Sequence, residues 1–132
     1  GAVAFDELCP ALLHAAVFEP SIKATALINS PVSYMEIVNN KVYNYSMSFI
    51  WGVAGALNEY DLPDLAACIA PRKLLMIDVK DAMKHPASNQ LVKDELEFPL
   101  SVYRSGEKPE NFRIESNIGD GDIDSFFDWW VN

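Results

Sequence analysis

Short apolar runs recur along the chain, and three of them predict buried β-strands. Ala2–Phe5 and Ala24–Ile28 are almost wholly apolar, and 73–78 (KLLMID) is the clearest run of the series. Runs of this length without alternation are typical of strands covered on both faces, as in parallel sheets. Residues 111–116 alternate apolar and polar positions instead, which predicts a fourth strand.

Helical patterns separate these runs. Residues 11–18 follow Pro10, which suits the first turn of a helix, and 62–67 form a short helix with Asp61 or Pro63 at its amino end. Strands that alternate with helices indicate a parallel sheet. The predicted fold class is therefore α/β, with about four parallel strands flanked by helices in a single domain, 1–132.

The longest predicted helix covers 88–105. Pro99 removes a backbone donor inside it and is expected to kink or split it. A flexible acidic turn at 119–122 and a closing helix over 123–131 complete the pattern, while aromatic residues across 29–59 favour a helical excursion that packs on an apolar surface. One face of the long helix carries four residues at helical spacing, namely Leu91, Glu95, Phe98 and Val102.

Composition and charge narrow the classes of partner. The chain has 19 acidic and 10 basic residues and a net charge of -9, so neither nucleic acid nor an anionic membrane is an expected partner. No apolar run reaches the ~18 residues of a membrane span. No basic segment marks a signal peptide. The compartment stays unknown, and the sequence does not decide between the cytoplasm and the periplasm. The two cysteines, Cys9 and Cys68, lie in apolar stretches outside any CxxC pair and are expected to be buried free thiols.

Three turns should meet where an α/β sheet binds its ligand, beyond the carboxyl ends of the strands. Asp6 follows the first predicted strand, Asp81 the third and Asp120 the fourth. In an α/β-hydrolase a tight strand-to-helix turn carries the nucleophile, and the acid and the histidine follow in chain order. A glycine-rich phosphate loop is absent from the first turn, so a nucleotide-binding domain is disfavoured and no cofactor is expected.

Residues 60–75 read YDLPDLAACIAPRKLL. This segment resembles the DLPDLAALIAPRPLL segment of bacterial acetyl-xylan-esterase-like and dienelactone-hydrolase-like α/β-hydrolases. Residues 12–16 look like the helix after the nucleophile turn of that family, and 80–86 look like its acid loop. The resemblance covers essentially the whole chain and corresponds to the C-terminal half of the family's fold, so it implies a partial α/β-hydrolase fold.

The resemblance assigns three catalytic positions. The nucleophile position falls on Asp6, the acid position on Asp81, which matches, and the histidine position on Asp120, where the family carries Gly-His-Gly. The family has a small residue two positions after the nucleophile, whereas Leu8 is bulky. A carboxylate whose pKa lies near 4 is a poor base for serine attack, so the site is expected to be degenerate.

Other residues offer weaker alternatives for these roles. His14 lies within a helix and is expected to be packed or partly exposed there, and His85 lies on the acid loop and is expected at the surface. Cys9 sits near a helix amino end, where a thiol pKa falls, but it comes three residues after the nucleophile position.

The carboxylates suggest a different chemistry if they converge. Asp6, Asp81 and Asp120 would then raise one another's pKa or recruit Ca²⁺ or Mg²⁺, with Glu7 and Asp122 as further ligands. Separate, solvated acids are the default expectation, and no metal is assigned.

Two functions are consistent with these features. The resemblance implies a carboxylic-ester hydrolase acting on acetylated carbohydrate through an acyl-enzyme, but the chain is expected to be catalytically incompetent without the serine and the histidine. The alternative is a non-catalytic, partner-binding or structural module. Its first strand would present an unpaired edge, which predicts a homodimer formed through that edge.

Overall fold

The computed structural model describes residues 1–45, 52–116 and 128–130. Four parallel strands form one sheet in the order β1-β2-β3-β4, and each strand pairs with the next along the chain. The predicted α/β fold, with four parallel strands flanked by helices, is therefore confirmed. The strands are β1 Ala2–Phe5, β2 Ala24–Ile28, β3 Lys73–Ile77 and β4 Phe112–Glu115.

Four helices are described in full: α1 Cys9–Phe18, α2 Tyr34–Asn39, α3 Leu62–Ile69 and α4 Asn89–Ser105. Short 3-10 turns cover Asp6–Leu8, Ala56–Asn58 and Pro109–Asn111, and residues 128–130 are helical. The predicted turn at 119–122 and most of the predicted helix 123–131 lie outside the described residues. Within the described part, no helix is long and apolar enough to cross a membrane.

Helices α1, α3 and α4 cover one face of the sheet. Connections between sequential parallel strands are almost always right-handed, which puts every connecting helix on the same side. Accordingly α1 packs against α3 and α3 against α4. The main apolar core lies between these helices and the inward side chains of the strands, including Leu27, Leu74 and Met76.

The opposite face of the sheet is covered unevenly. Over β3 and β4, the Lys73 ammonium and the Arg113 guanidinium lie 5.4 and 4.5 Å from the ring centroid of Trp129. Over β1, the side chains of Val3 and Phe5 are 52% and 56% exposed. Both faces of a parallel sheet are normally covered. The outer face of β1 is an exception, because Val3 and Phe5 leave an apolar surface exposed there.

Asp61 holds the amino ends of two helices together. Its carboxylate accepts hydrogen bonds from Leu62 N in α3 and from Tyr34 N and Met35 N in α2, at 2.6, 2.7 and 2.9 Å. Asp64 completes a capping box by accepting from Asp61 N. The sequence left Asp61 or Pro63 as the amino end of α3, and in the structure Asp61 is the N-cap and Leu62 the first helical residue.

The Ala70-Pro71-Arg72 segment, which belongs to the stretch that carries the resemblance, is the turn directly before β3. It contacts residues near the amino ends of β2 and β4. Tyr103 Oη donates to Arg72 O at 2.8 Å, and Asn111 Nδ2 donates to Pro71 O at 2.6 Å. Arg72 Nη1 donates to Ile22 O at 2.9 Å, just before β2. These contacts tie α4 and the starts of β2 and β4 to one turn.

The structure corrects three details. Pro99 was expected to kink or split α4, and the helix is not split, because it runs unbroken from Asn89 to Ser105. Its buried residues are Leu96, Pro99 and Tyr103. Each follows by one position a residue of the predicted buried face, and Phe98 of that face is 54% exposed. This rotation places the Tyr103 ring against Phe112. Of the two thiols, only Cys9 is buried, because Cys68 lies on the outer side of α3 and is exposed.

Candidate functional site

The carboxyl ends of three adjacent strands share one backbone conformation. Asp6 follows β1 with φ of 46°, Asn29 follows β2 with φ of 59°, and Asp78 follows β3 with φ of 50°. Asparagine and aspartate are among the few non-glycine residues that adopt this left-handed region readily. The register aligns the last residues of these strands, so the three turns lie side by side at one edge of the sheet.

The turn after β1 is as tight as a nucleophile turn requires. From Asp6 the backbone passes through one 3-10 turn directly into α1 at Cys9. Leu8 does not prevent this, because its side chain is 67% exposed and points away from the helix packing. Leu8 is bulky where the family has a small residue, and the tight turn forms with it in place. Asp6 itself carries a carboxylate rather than a hydroxyl.

A salt bridge joins this turn to the loop after β3. Lys84 Nζ lies 2.8 Å from Glu7 Oε1, and both side chains are partly exposed. The hydrogen bond from Lys84 lowers the pKa of the Glu7 carboxyl below its usual 4.5. Lys84 itself adopts a positive φ of 66°, so its loop has a defined turn conformation.

The carboxylate of Asp81 stabilises its own loop. Its Oδ1 accepts from Met83 N at 2.8 Å and from His85 N at 2.9 Å, while its Oδ2 lies 3.8 Å from His85 Nδ1. Asp81 N in turn donates to His85 O. The acid position of the resemblance is thus an ordered loop residue beside the turn that carries Asp6.

Main-chain hydrogen bonds fix this loop to the sheet. Lys80 N donates to Ser30 O at 2.8 Å, Val32 N donates to Lys80 O at 3.0 Å, and Ala87 N donates to Val79 O at 2.8 Å. The loops after β2 and β3 are therefore joined to each other by main-chain hydrogen bonds.

Within the described residues, neither histidine forms a hydrogen bond with Asp6. Both ring nitrogens of His14 are occupied, with Nδ1 2.7 Å from Pro10 O and Nε2 2.9 Å from Tyr60 Oη. This position between α1 and the start of α3 confirms the expected packed role. The side chain of His85 is 71% exposed, as expected for the loop surface.

Cys9 is also unsuited to nucleophilic attack. Its buried Sγ lies 3.2 Å from Ile28 O and 3.4 Å from Ala4 O, both of which accept from the thiol. Burial raises the pKa of the thiol to about 12, the opposite of the activation that a helix amino end would provide.

The third catalytic position, Asp120, lies outside the described residues, as does Asp122. Among 1–45, 52–116 and 128–130, no group of three or more histidine, cysteine, aspartate or glutamate side chains is arranged to hold a metal ion. Asp6, Asp81 and Glu7 therefore do not form a metal site among themselves.

A cavity of about 400 Å³ borders both ends of the Asp81 loop and runs along α4. Its polar lining is balanced in charge, with two basic, two acidic and two neutral residues: Lys93, Arg104, Asp78, Glu97, Asn89 and Ser116. Its apolar floor includes Val92, Leu100 and Ile114. Such a surface suits a neutral polar ligand better than an ion.

Sequence reasoning missed Lys84 as the partner of Glu7, and it missed Asn29 and Asp78 as neighbours of Asp6. Asn29 and Asp78 could have been found, because each lies at the carboxyl end of a predicted strand. The salt bridge between Glu7 and Lys84 could not, because no local pattern links two residues so far apart in the chain. Fold and site together define a parallel α/β domain with a tight strand-to-helix turn that contacts the loop carrying Asp81. Comparison with protein-family models, with curated proteins and with solved structures gave no match to this chain.

Proposed function

We propose that this chain is a catalytically degenerate α/β-hydrolase-like domain of the acetyl-xylan-esterase type that acts as a non-catalytic, self-associating module. One observation carries the proposal. The turn after β1 has the left-handed conformation that a nucleophile turn needs, yet it holds Asp6 instead of serine. Of the two described histidines, His14 contacts Pro10 and Tyr60, and His85 lies near Asp81.

The chemistry of the described residues argues against ester hydrolysis. A covalent mechanism needs a nucleophile activated by a base of near-neutral pKa and oriented by a third group. The two ring nitrogens of His14 are hydrogen-bonded to Pro10 O and Tyr60 Oη. The Cys9 thiol is buried, and its raised pKa keeps it protonated. Asp81 supports its own loop through two backbone N–H groups.

Self-association draws support from the edge of the sheet. β1 is uncharged in a chain of net charge -9, and within the described ranges no strand pairs with its outer edge. Exposed Val3 and Phe5 extend this edge as an apolar surface. Two copies related by a two-fold axis would pair β1 with β1 without bringing like charges together.

A residual hydrolase is the second candidate. It is favoured by the 3.8 Å approach of His85 Nδ1 to Asp81 beside the turn that carries Asp6, and by the cavity of balanced charge, which suits a carbohydrate ester. In that case His85 would act as the base and Asp81 would orient it.

Hydrolysis of p-nitrophenyl acetate separates the two candidates. Asp81→Asn is the matched variant, because its remaining carbonyl oxygen still accepts from Met83 N and His85 N while the charge is lost. The proposal predicts that wild type and variant hydrolyse the ester at the same background rate. A wild-type rate that falls tenfold or more in the variant would establish the residual hydrolase instead.

A further inference from the structure

A second cavity, of about 350 Å³, opens at the amino ends of β2, β3 and β4. It lies at the opposite edge of the sheet from Asp6 and Asp81, so a ligand bound in it would be independent of the proposed function. The chain's ten basic residues are outnumbered by 19 acidic ones, yet four of the ten line this cavity and none of its described lining residues is acidic. The four are Lys23, Arg72, Lys73 and Lys108.

The side chains of Lys23 and Lys108 are exposed. Neither ammonium group donates a hydrogen bond within 1–45, 52–116 and 128–130, although both residues form main-chain hydrogen bonds. Glu19, whose carboxylate attracts Lys23, accepts the Ser21 N–H and does not line the cavity. The positive charge around the opening is therefore not matched by carboxylates in its wall.

The other two cations retain donors. Arg72 uses Nη1 for Ile22 O at 2.9 Å and Glu19 O at 3.3 Å, and Lys73 Nζ donates to Trp129 O. A guanidinium has five N–H donors and an ammonium has three. Hydrogen bonds to main-chain carbonyls thus account for some of the donors of Arg72 and Lys73. They give no structural role to the side chains of Lys23 and Lys108.

The neutral part of the lining adds a ring and an amide. Trp130 is partly buried at one side, and Asn111, 7% exposed, stands at the base with its Nδ2 directed to Pro71 O. The volume falls within the range of small-molecule pockets. Arginine and lysine together are the usual recognition groups for phosphate.

We propose that this cavity binds a small organic phosphate. Its phosphate group lies between Lys23, Arg72 and Lys108, and a flat ring of the ligand lies against Trp130. Because attraction between exposed charges is screened by ions, the affinity falls as salt is raised.

Isothermal titration calorimetry with three probes tests the chemistry: inorganic phosphate, adenosine monophosphate and adenosine. We expect adenosine monophosphate to bind most tightly, with quenching of tryptophan fluorescence, and inorganic phosphate to bind more weakly. Adenosine is expected not to bind. Absence of binding by both phosphates at about 10 mM, or equal binding of adenosine and its monophosphate, would overturn the proposal.

A pair of double variants tests the location. Lys23→Gln with Lys108→Gln removes two cavity ammonium groups that donate no hydrogen bond in the described protein, so folding is expected to persist. Lys41→Gln with Lys93→Gln removes the same charge elsewhere. The first variant should weaken adenosine monophosphate at least about tenfold and the control less than about twofold. Equal losses in the two variants would show a general charge effect and refute the site.

Discussion

Lys84 Nζ lies 2.8 Å from Glu7 Oε1, and this contact joins the turn after β1 to the loop after β3. Because β2 lies between those strands, the pair reaches across the carboxyl end of the middle strand. The residues that would be a nucleophile turn and an acid loop in a hydrolase are therefore held together, although the groups that would react are absent from the described part.

Glu7→Gln should lower the free energy of unfolding at pH 7 by about 0.5 kcal/mol, since the ion pair is partly exposed and screened by solvent. The pKa of Glu7 is lowered in the folded protein, so the pair stabilises above the carboxyl's ordinary pKa of 4.5 and this contribution disappears as the pH falls through the lowered value. Urea unfolding of wild type and variant at pH 7 and pH 3 checks this. A difference as large at pH 3 as at pH 7 would contradict it.

Asp61→Ala should cost about 2 kcal/mol of stability, because one carboxylate accepts from three backbone N–H groups in two helices. Asp94→Ala is the matched control, since Asp94 is exposed and, within the described residues, its side chain accepts only from the side chain of Gln90. Its effect should stay within about 0.5 kcal/mol. Urea denaturation measures both, and similar losses in the two variants would rule out the role assigned to Asp61.

Thiol titration with a chromogenic disulfide at pH 8 should count one reactive cysteine in the folded protein and two in denaturant. Cys68 is exposed, whereas the Cys9 thiol is buried with a pKa raised to about 12 and remains protonated at that pH. Cys68→Ser should leave no fast-reacting thiol. Rapid labelling of Cys9 in the folded variant would show that the turn after β1 opens readily.

Val3→Lys should convert a dimer into a monomer, because a lysine on the exposed edge strand blocks pairing between copies. Light scattering at micromolar concentration should give twice the 14.7 kDa chain mass for wild type and the single mass for the variant. Val42→Lys, at another exposed valine, should remain dimeric. A monomeric wild type would contradict self-association through β1.

The sheet could be predicted from sequence because its signals are local. The bounds of β1 and β2 agree with the prediction, and those of β3 agree within one residue, since each strand is a short apolar run bounded by turns or helix ends. Helix α3 was marked by Asp61 and Pro63 for the same reason. The positions of Asp6 and Asp81 beyond strand ends followed directly from the strands.

What could not be predicted depends on contacts between distant parts of the chain. The pairs between residues 7 and 84 and between residues 61 and 34 leave no trace in local spacing. The buried face of α4 was misplaced by one residue, because apolar Phe98 suggested burial while the Tyr103 contact with Arg72 sets the rotation. The four cations of the second cavity could not be predicted either, because the net charge of -9 does not show where basic residues from distant parts of the chain come together.

Acetate release from an acetylated xylo-oligosaccharide, followed by proton NMR, tests the central claim most directly. Wild type, Asp6→Asn and Asp81→Asn are compared with heat-denatured protein at equal concentration. A degenerate site predicts no release above the denatured control in any of the three samples. Release by wild type that is lost in both variants would contradict the claim and show that Asp6 and Asp81 form a working active site.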